Sequence, residues 1–101
     1  NNMRRAAKVD LNQSVIVAAL RQLGASVQPL HILGGGVPDL LIGWRGQNLL
    51  IEVKNGNKSP SRRRLTVAES EWQYNWHGQV AIISTVDDAI TFIINKADRH
   101  G

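Results

Sequence analysis

Between Asp39 and Lys54 the chain carries two short apolar runs, Asp39-Leu-Leu-Ile-Gly-Trp44 and Leu49-Leu-Ile-Glu-Val-Lys54, separated by Arg45-Gly46-Gln47-Asn48. Runs of this length and aliphatic content read as strands and the residues between them as turn formers, so the segment predicts an antiparallel hairpin. No other feature restricts the fold as strongly, because the pairing register decides which side chains share a face. A two-residue loop places Asp39 opposite Glu52, and a four-residue loop places it opposite Lys54. In either register Asp39, Glu52 and Lys54 lie on one face. The other face holds Leu40, Ile42, Leu49, Ile51 and Val53, an uninterrupted apolar set suited to a core.

The flanking segments predict the rest of an α/β domain. Residues 11–23 place apolar side chains at 11, 15, 16, 19, 20 and 23, one face of a helix that Asp10 can cap and Gly24 can close. Residues 26–33 read as a strand that runs into Gly34-Gly35-Gly36. Residues 55–64 contain no apolar side chain and predict an exposed basic loop. Thr66-Val-Ala-Glu69 has the form of a capping box, opening a helix that continues through Trp72 and Trp76 to about His77, with Gly78 as its stop. The two tryptophans, one turn apart, are expected in the core rather than as base-stacking platforms. Residues 79–84 form a further strand, and Thr85-Val-Asp-Asp88 caps a last helix with residues 86, 89, 90, 93 and 97 facing the core. Phe92 and Ile94 lie off that stripe and, if exposed, offer an apolar surface for self-association. The order α-β-β-β-α-β-α describes one sheet with helices packed on it. Residues 1–9 form a basic N-terminal arm and residues 10–101 a single domain.

Composition narrows the chemistry. The 101 residues include no cysteine, which excludes disulfides, thiolate metal sites and a cysteine nucleophile, and suits a reducing cytoplasm. No apolar run approaches the roughly 18 residues of a membrane span, and Asn1-Asn2-Met3-Arg4-Arg5 lacks the apolar stretch of a signal peptide. A cytoplasmic protein without a membrane partner is expected. Twelve Lys and Arg face eight Asp and Glu, for a formal charge of +4, and six of the twelve (Arg45, Lys54, Lys58, Arg62, Arg63, Arg64) fall between residues 45 and 64. The only acid in that stretch is Glu52. Such a local surplus points to a polyanion.

A carboxylate on one strand, a second on its hairpin partner and a lysine two residues on suit metal-dependent hydrolysis of a phosphodiester. Mg²⁺ takes oxygen ligands and keeps several waters, so Asp39, Glu52 and the carbonyl of Val53 can hold it while a phosphate completes the shell. Lys54 can stabilise charge developing on the phosphate, or position and deprotonate an attacking water. The three histidines, His31, His77 and His100, show no metal-ligand spacing, so a metal held by oxygen, Mg²⁺ or Mn²⁺, is expected over zinc.

Gly36-Val-Pro-Asp39 followed by Glu52-Val-Lys54 resembles the motif of the PD-(D/E)XK nuclease superfamily. More narrowly, Gly34-Gly-Gly-Val-Pro-Asp-Leu-Leu-Ile-Gly43, Ile51-Glu-Val-Lys54 and Leu65-Thr66 before a helix resemble the virus-type replication and repair nuclease (VRR-Nuc) family over roughly residues 10–92. The resemblance implies an αβββαβ core, a restriction-endonuclease-like central mixed sheet flanked by helices with a C-terminal helix added. It also implies Mg²⁺ or Mn²⁺ dependence, endonuclease action on branched or structured DNA, and, for small phage or prophage members, homodimers similar to Holliday junction resolvases. Asp39, Glu52 and Lys54 would be the catalytic residues.

Two positions depart from that family. Its first helix often carries an acidic metal ligand, whereas the corresponding stretch here is Gln13-Ser14-Val15; Asp10 is the nearest acid, and Gln13 would be a weaker oxygen ligand. A glutamine commonly follows the Leu-Thr pair, and Glu69 stands there, able to contact metal-bound water or to complete the capping box. Gly35 and Gly36 would let a DNA backbone approach Asp39. Lys58, Arg62, Arg63 and Arg64 would add salt-sensitive phosphate contacts. The rival reading is a nuclease-fold protein that binds structured DNA without cutting it, favoured by the missing first-helix acid.

Overall fold

The computed structural model describes residues 11–55 and 64–99, and the central hairpin forms on a two-residue loop. Strand β2 (Leu40–Trp44) pairs antiparallel with β3 (Gln47–Val53), Leu40 opposite Ile51 and Trp44 opposite Gln47. Gln47 and Asn48, expected in the turn, instead begin β3. The loop is Arg45-Gly46, with φ of 48° and 81°, and positive φ at both residues is what a type I′ turn needs to match strand twist. Arg45 is not favoured there, but its guanidinium lies 4.8 Å from the centroid of the Trp44 ring, and this cation–π contact offsets part of the left-handed strain.

Leu40, Ile42, Leu49, Ile51 and Val53 are all buried, as the alternation predicts. Helices α1 (Leu11–Leu23) and α3 (Val86–Arg99) contribute Ile16, Leu20, Ala89 and Ile93 to the same core. The buried face of α1 is rotated from the expected one. Gln13, Ile16 and Leu20 point inward, whereas Leu11 is 79% exposed and Val15 and Leu23 also face solvent. The apolar positions of this helix span a wider arc than the sheet covers, and packing selects the part centred on Ile16 and Leu20. In α3, Val86 and Ile90 pack against the core as expected, and Phe92 and Ile94 are half-buried against it too, so these two do not form a free apolar surface. The side chain of residue 97 lies outside the description.

Strand β1 (Ser26–Pro29) is shorter than the expected 26–33. Its last pair is Pro29 with Leu40; beyond it the neighbouring segment holds Pro38, which has no N–H to extend a ladder. The Leu30 N–H donates to the Asp39 carbonyl at 2.8 Å, and His31–Leu33 then form a 3-10 turn. Strand β4 (Ala81–Ile83) runs parallel to β3, Glu52 beside Ile82. The Gln79 side chain stands in for two further residues of β4: its Oε1 accepts from the Leu50 N–H at 2.7 Å and its Nε2 donates to the Leu50 carbonyl at 2.8 Å. The result is a four-stranded mixed sheet of order β1-β2-β3-β4 with three helices, an α/β fold. Among the described residues no helix is long and apolar enough to cross a membrane.

Helix α2 (Val67–Asn75) opens on the predicted capping box, Thr66 Oγ1 accepting from the Glu69 N–H and Glu69 from the Thr66 N–H. It ends at Asn75, two residues short of the expected stop, and none of its residues is fully buried. Trp72 and Trp76 are therefore not core residues. They stack on each other, ring centroids 4.7 Å apart at 20°, and Trp76 is 46% exposed. The core is filled from the opposite face of the sheet, so α2 meets the face bearing the charged residues and its indoles settle at that edge.

Gly36 joins α2 to the hairpin. With φ of 85°, it abuts the Ala68 carbonyl so closely that a Cβ would collide with it, whereas Gly35, at φ 66°, has nothing within 4 Å of that position. Alanine at either site bears the left-handed penalty of roughly 1–2 kcal/mol. Gly36→Ala is expected to lower the urea midpoint clearly further than Gly35→Ala, because only it also displaces the start of α2.

Candidate active site

The register brings the charged residues together. Asp39 precedes β2 and continues its pairing, which sets it opposite Glu52 on β3. Its backbone is pinned by the Leu30 N–H, and its Oδ2 accepts from the Val53 N–H at 2.8 Å. Within a strand the N–H and C=O of one residue point to the same side, so the Val53 carbonyl is directed towards the Asp39 edge. Glu52 is only 1% exposed, and its Oε1 is buried without a hydrogen-bond partner among the described residues. The Lys54 Nζ lies 3.7 Å from Glu52 Oε2 and donates to Glu69 Oε1 at 2.7 Å.

The carboxyls are unequally compensated. Burial, then the charges of Asp39 and Glu69 and the hydrogen bonds shared with them, push the Glu52 carboxyl up to about 9. Burial also raises Asp39, although the Val53 N–H and a hydrogen bond with Glu52 work against the rise. Lys54 is disfavoured by burial, yet its hydrogen bond to Glu69 and the charges of Glu69, Glu52 and Asp39 raise it and keep the ammonium protonated. Glu69 is lowered: burial opposes ionisation, but the bonds from Lys54 and the Thr66 N–H overcome it.

Glu69 thus does more than cap α2. One oxygen accepts from both the Thr66 N–H and Lys54, an ion pair that spacing along the chain did not reveal. Asn12 was likewise not singled out, although its Nδ2 donates to the carbonyls of Lys54 and Ser84 at 3.1 and 3.0 Å and fastens α1 to the ends of β3 and β4. Gln13 is buried, but no hydrogen bond among the described residues joins it to Asp39 or Glu52; it lines a separate hollow with Ser14, Pro29 and His31. Gly35 is exposed, and Gly36 is occupied by its approach to Ala68. Arg64 is exposed, while Asp10, Lys58, Arg62 and Arg63 lie outside the described residues, as does the arm over residues 1–9.

Among the described residues no three His, Asp or Glu side chains converge as a ready metal cage. The protein donors available to a cation are the Asp39 and Glu52 carboxylates and the Val53 carbonyl. That oxygen-only set, with one buried carboxylate oxygen unpartnered, suits a hard divalent cation that keeps water or phosphate in its shell. No family model, curated protein or solved structure matches the chain.

A carboxyl raised on folding contributes stability that is present below its unfolded value and lost as pH rises through its folded one. In EDTA, wild type is expected to lose stability relative to Glu52→Gln between about pH 4.5 and 9, read from paired denaturant titrations. A constant difference across that range would show that Glu52 is not held protonated.

Proposed function

We propose that the protein is a Mg²⁺- or Mn²⁺-dependent endodeoxyribonuclease of the PD-(D/E)XK type, similar to the VRR-Nuc family, that hydrolyses phosphodiesters in branched or structured DNA. The observation that carries this reading is the buried Glu52 carboxyl set against the half-buried Asp39 carboxyl beside a charged lysine. Two adjacent acids, one buried and one half-buried, that share a single ammonium bonded more closely to Glu69 cost stability, and a divalent cation would offset that cost. Asp39, Glu52 and the Val53 carbonyl would hold it. A bound Mg²⁺ supplies Lewis-acid polarisation of the scissile phosphate.

The remaining steps belong to the chain. The Val53 N–H orients the Asp39 carboxylate. Lys54 stays protonated, so its part is to donate to a phosphate oxygen and stabilise developing charge rather than to abstract a proton. Glu69 holds the ammonium on the carboxylate face. Lys58, Arg62, Arg63 and Arg64 follow β3 directly in the chain and would add phosphate contacts whose strength falls with salt. Each chain offers one site, so cutting both strands of a junction symmetrically requires a homodimer. A phage or prophage role in junction resolution follows from the same resemblance.

A second reading, DNA binding without cleavage, is favoured by the lack of a bond between Gln13 and the carboxylate pair. The two separate on linear duplex, flap and four-way junction DNA incubated with Mg²⁺, Mn²⁺ or EDTA. Metal-dependent cleavage is expected, with Asp39→Asn, Glu52→Gln and Lys54→Met each slower by about 10²-fold or more. Binding without cleavage of any substrate would establish the second reading, and undiminished cutting by Lys54→Met would misplace the site.

A further inference from the structure

The stripe of α2 that carries Glu69 continues to Trp72, three residues on, and Trp76, the extended residue that caps the end of the helix, stacks on it. Across from it, two residues along each strand from Asp39 and Glu52, stand Leu41 and Leu50, a directly opposed pair on the carboxylates' face. Two residues of strand span about 7 Å. The charged cluster and the tryptophan pair are therefore successive steps of one cleft between α2 and the sheet. Its second step is a groove of ≈ 390 Å³ walled by Val37, Leu41, Leu50, Trp72 and Trp76, with Gly78 at its edge.

The groove has an aromatic wall and, among the described residues, no charged side chain in its lining. Gln79, which also borders it, has both polar side-chain atoms committed to the Leu50 backbone, so among the described lining residues Asn48, exposed at the hairpin end of the groove, is the one side-chain amide left. Flat, uncharged rings fit such a slot through stacking that tolerates any base. At the adjoining step sit the Lys54 ammonium and the two carboxylates. With the divalent cation of the nuclease reading held at the carboxylates, an occupant complementary to both steps would be flat and apolar at one end and anionic at the other, the make-up of a nucleotide, and neither an acyl chain nor an aliphatic peptide segment combines these ends.

We propose that the groove between Trp72, Trp76 and the sheet seats an unstacked nucleobase beside the phosphate held at the carboxylate cluster. A base in this groove cannot also be stacked in a duplex, and extruding a paired one carries an energetic cost that an unpaired one avoids. The substrate class is then DNA with an unpaired nucleotide at the cleavage point, as at a flap, gap or branch. The phosphate assignment rests on the nuclease reading, whereas the base seat is open to test without cleavage.

The probe is a short oligonucleotide with 2-aminopurine at one position, either unpaired or fully paired, titrated with the full-length protein in EDTA at low salt. Wild type is expected to quench the unpaired probe and to bind it about tenfold or more tightly than the paired one. Trp76→Ala, at an exposed position whose loss leaves the core intact, is expected to reduce that preference about tenfold, and Trp76→Phe to retain most of it, with circular dichroism confirming that both fold. Equal preference in wild type and Trp76→Ala, or no preference in wild type, would overturn the base seat. So would a change in the sedimentation of DNA-free protein on Trp76→Ala, which would assign the groove to contact between copies of the chain. A preference that persists while Mg²⁺ elicits no cleavage supports the seat and removes the nuclease reading instead.

Discussion

Glu52 lies in the interior with Asp39 and Glu69 as acidic neighbours, and the cation paired with it among the described residues, Lys54, gives its shortest contact to Glu69 rather than to Glu52. Three carboxyls and one ammonium leave this cluster acidic once all are ionised, within a chain of net positive charge. Apolar burial would be the cheaper use of such a position, because a central strand is flanked by neighbours that exclude water. The hairpin instead places Leu40, Ile42, Leu49, Ile51 and Val53 on the opposite face and holds Asp39 in place with a backbone N–H. Strand pairing, the tight Arg45-Gly46 turn and the Leu30 bond to Asp39 all converge on keeping two acids adjacent. Burial and its acidic neighbours push the Glu52 carboxyl up to about 9, and the protonated form eases that adjacency.

How far the sequence discloses this arrangement depends on the range of the interaction concerned. Alternation along 39–54 is local and has a period of two, so it separates Leu40, Ile42, Leu49, Ile51 and Val53 from Asp39, Glu52 and Lys54 whichever turn forms. The capping box at Thr66 is equally local. The end of β1 is not, since it depends on where Pro38 denies the neighbouring segment an N–H, and residues 30–33 are as aliphatic as a strand. Nor is the buried face of α1 legible, because Leu11, Val15, Ile16 and Leu20 form an arc wider than one sheet covers. The Lys54 to Glu69 bond joins residues 15 apart through tertiary packing alone, and the Asn12 bridge joins α1 to the ends of two strands.

Trp72 and Trp76 illustrate a different limit. Large aromatic side chains at helical spacing are ordinarily buried, and hydrophobicity alone places them in the core. Which face of the sheet receives a helix is a matter of topology, however, and the core face is already occupied by α1 and α3. The indoles consequently cover the charged face beyond the reach of Lys54. What hydropathy reads as core is here the wall of a cleft.

Attachment of α2 to the sheet is correspondingly distinct from the rest of the packing. No residue of this helix is fully buried, and what ties it down is the Glu69 bond to Lys54, the approach of Gly36 to Ala68 and the tryptophan edge. Two of these three ties adjoin the carboxylates in the chain or in space. Lys54 has a limited set of positions on its stem, and each arrangement that brings its ammonium closer to Glu52 draws it from Glu69. Lys54 thus links the charged cluster to the helix that walls the cleft, because the same ammonium lies beside Glu52 and bonds Glu69.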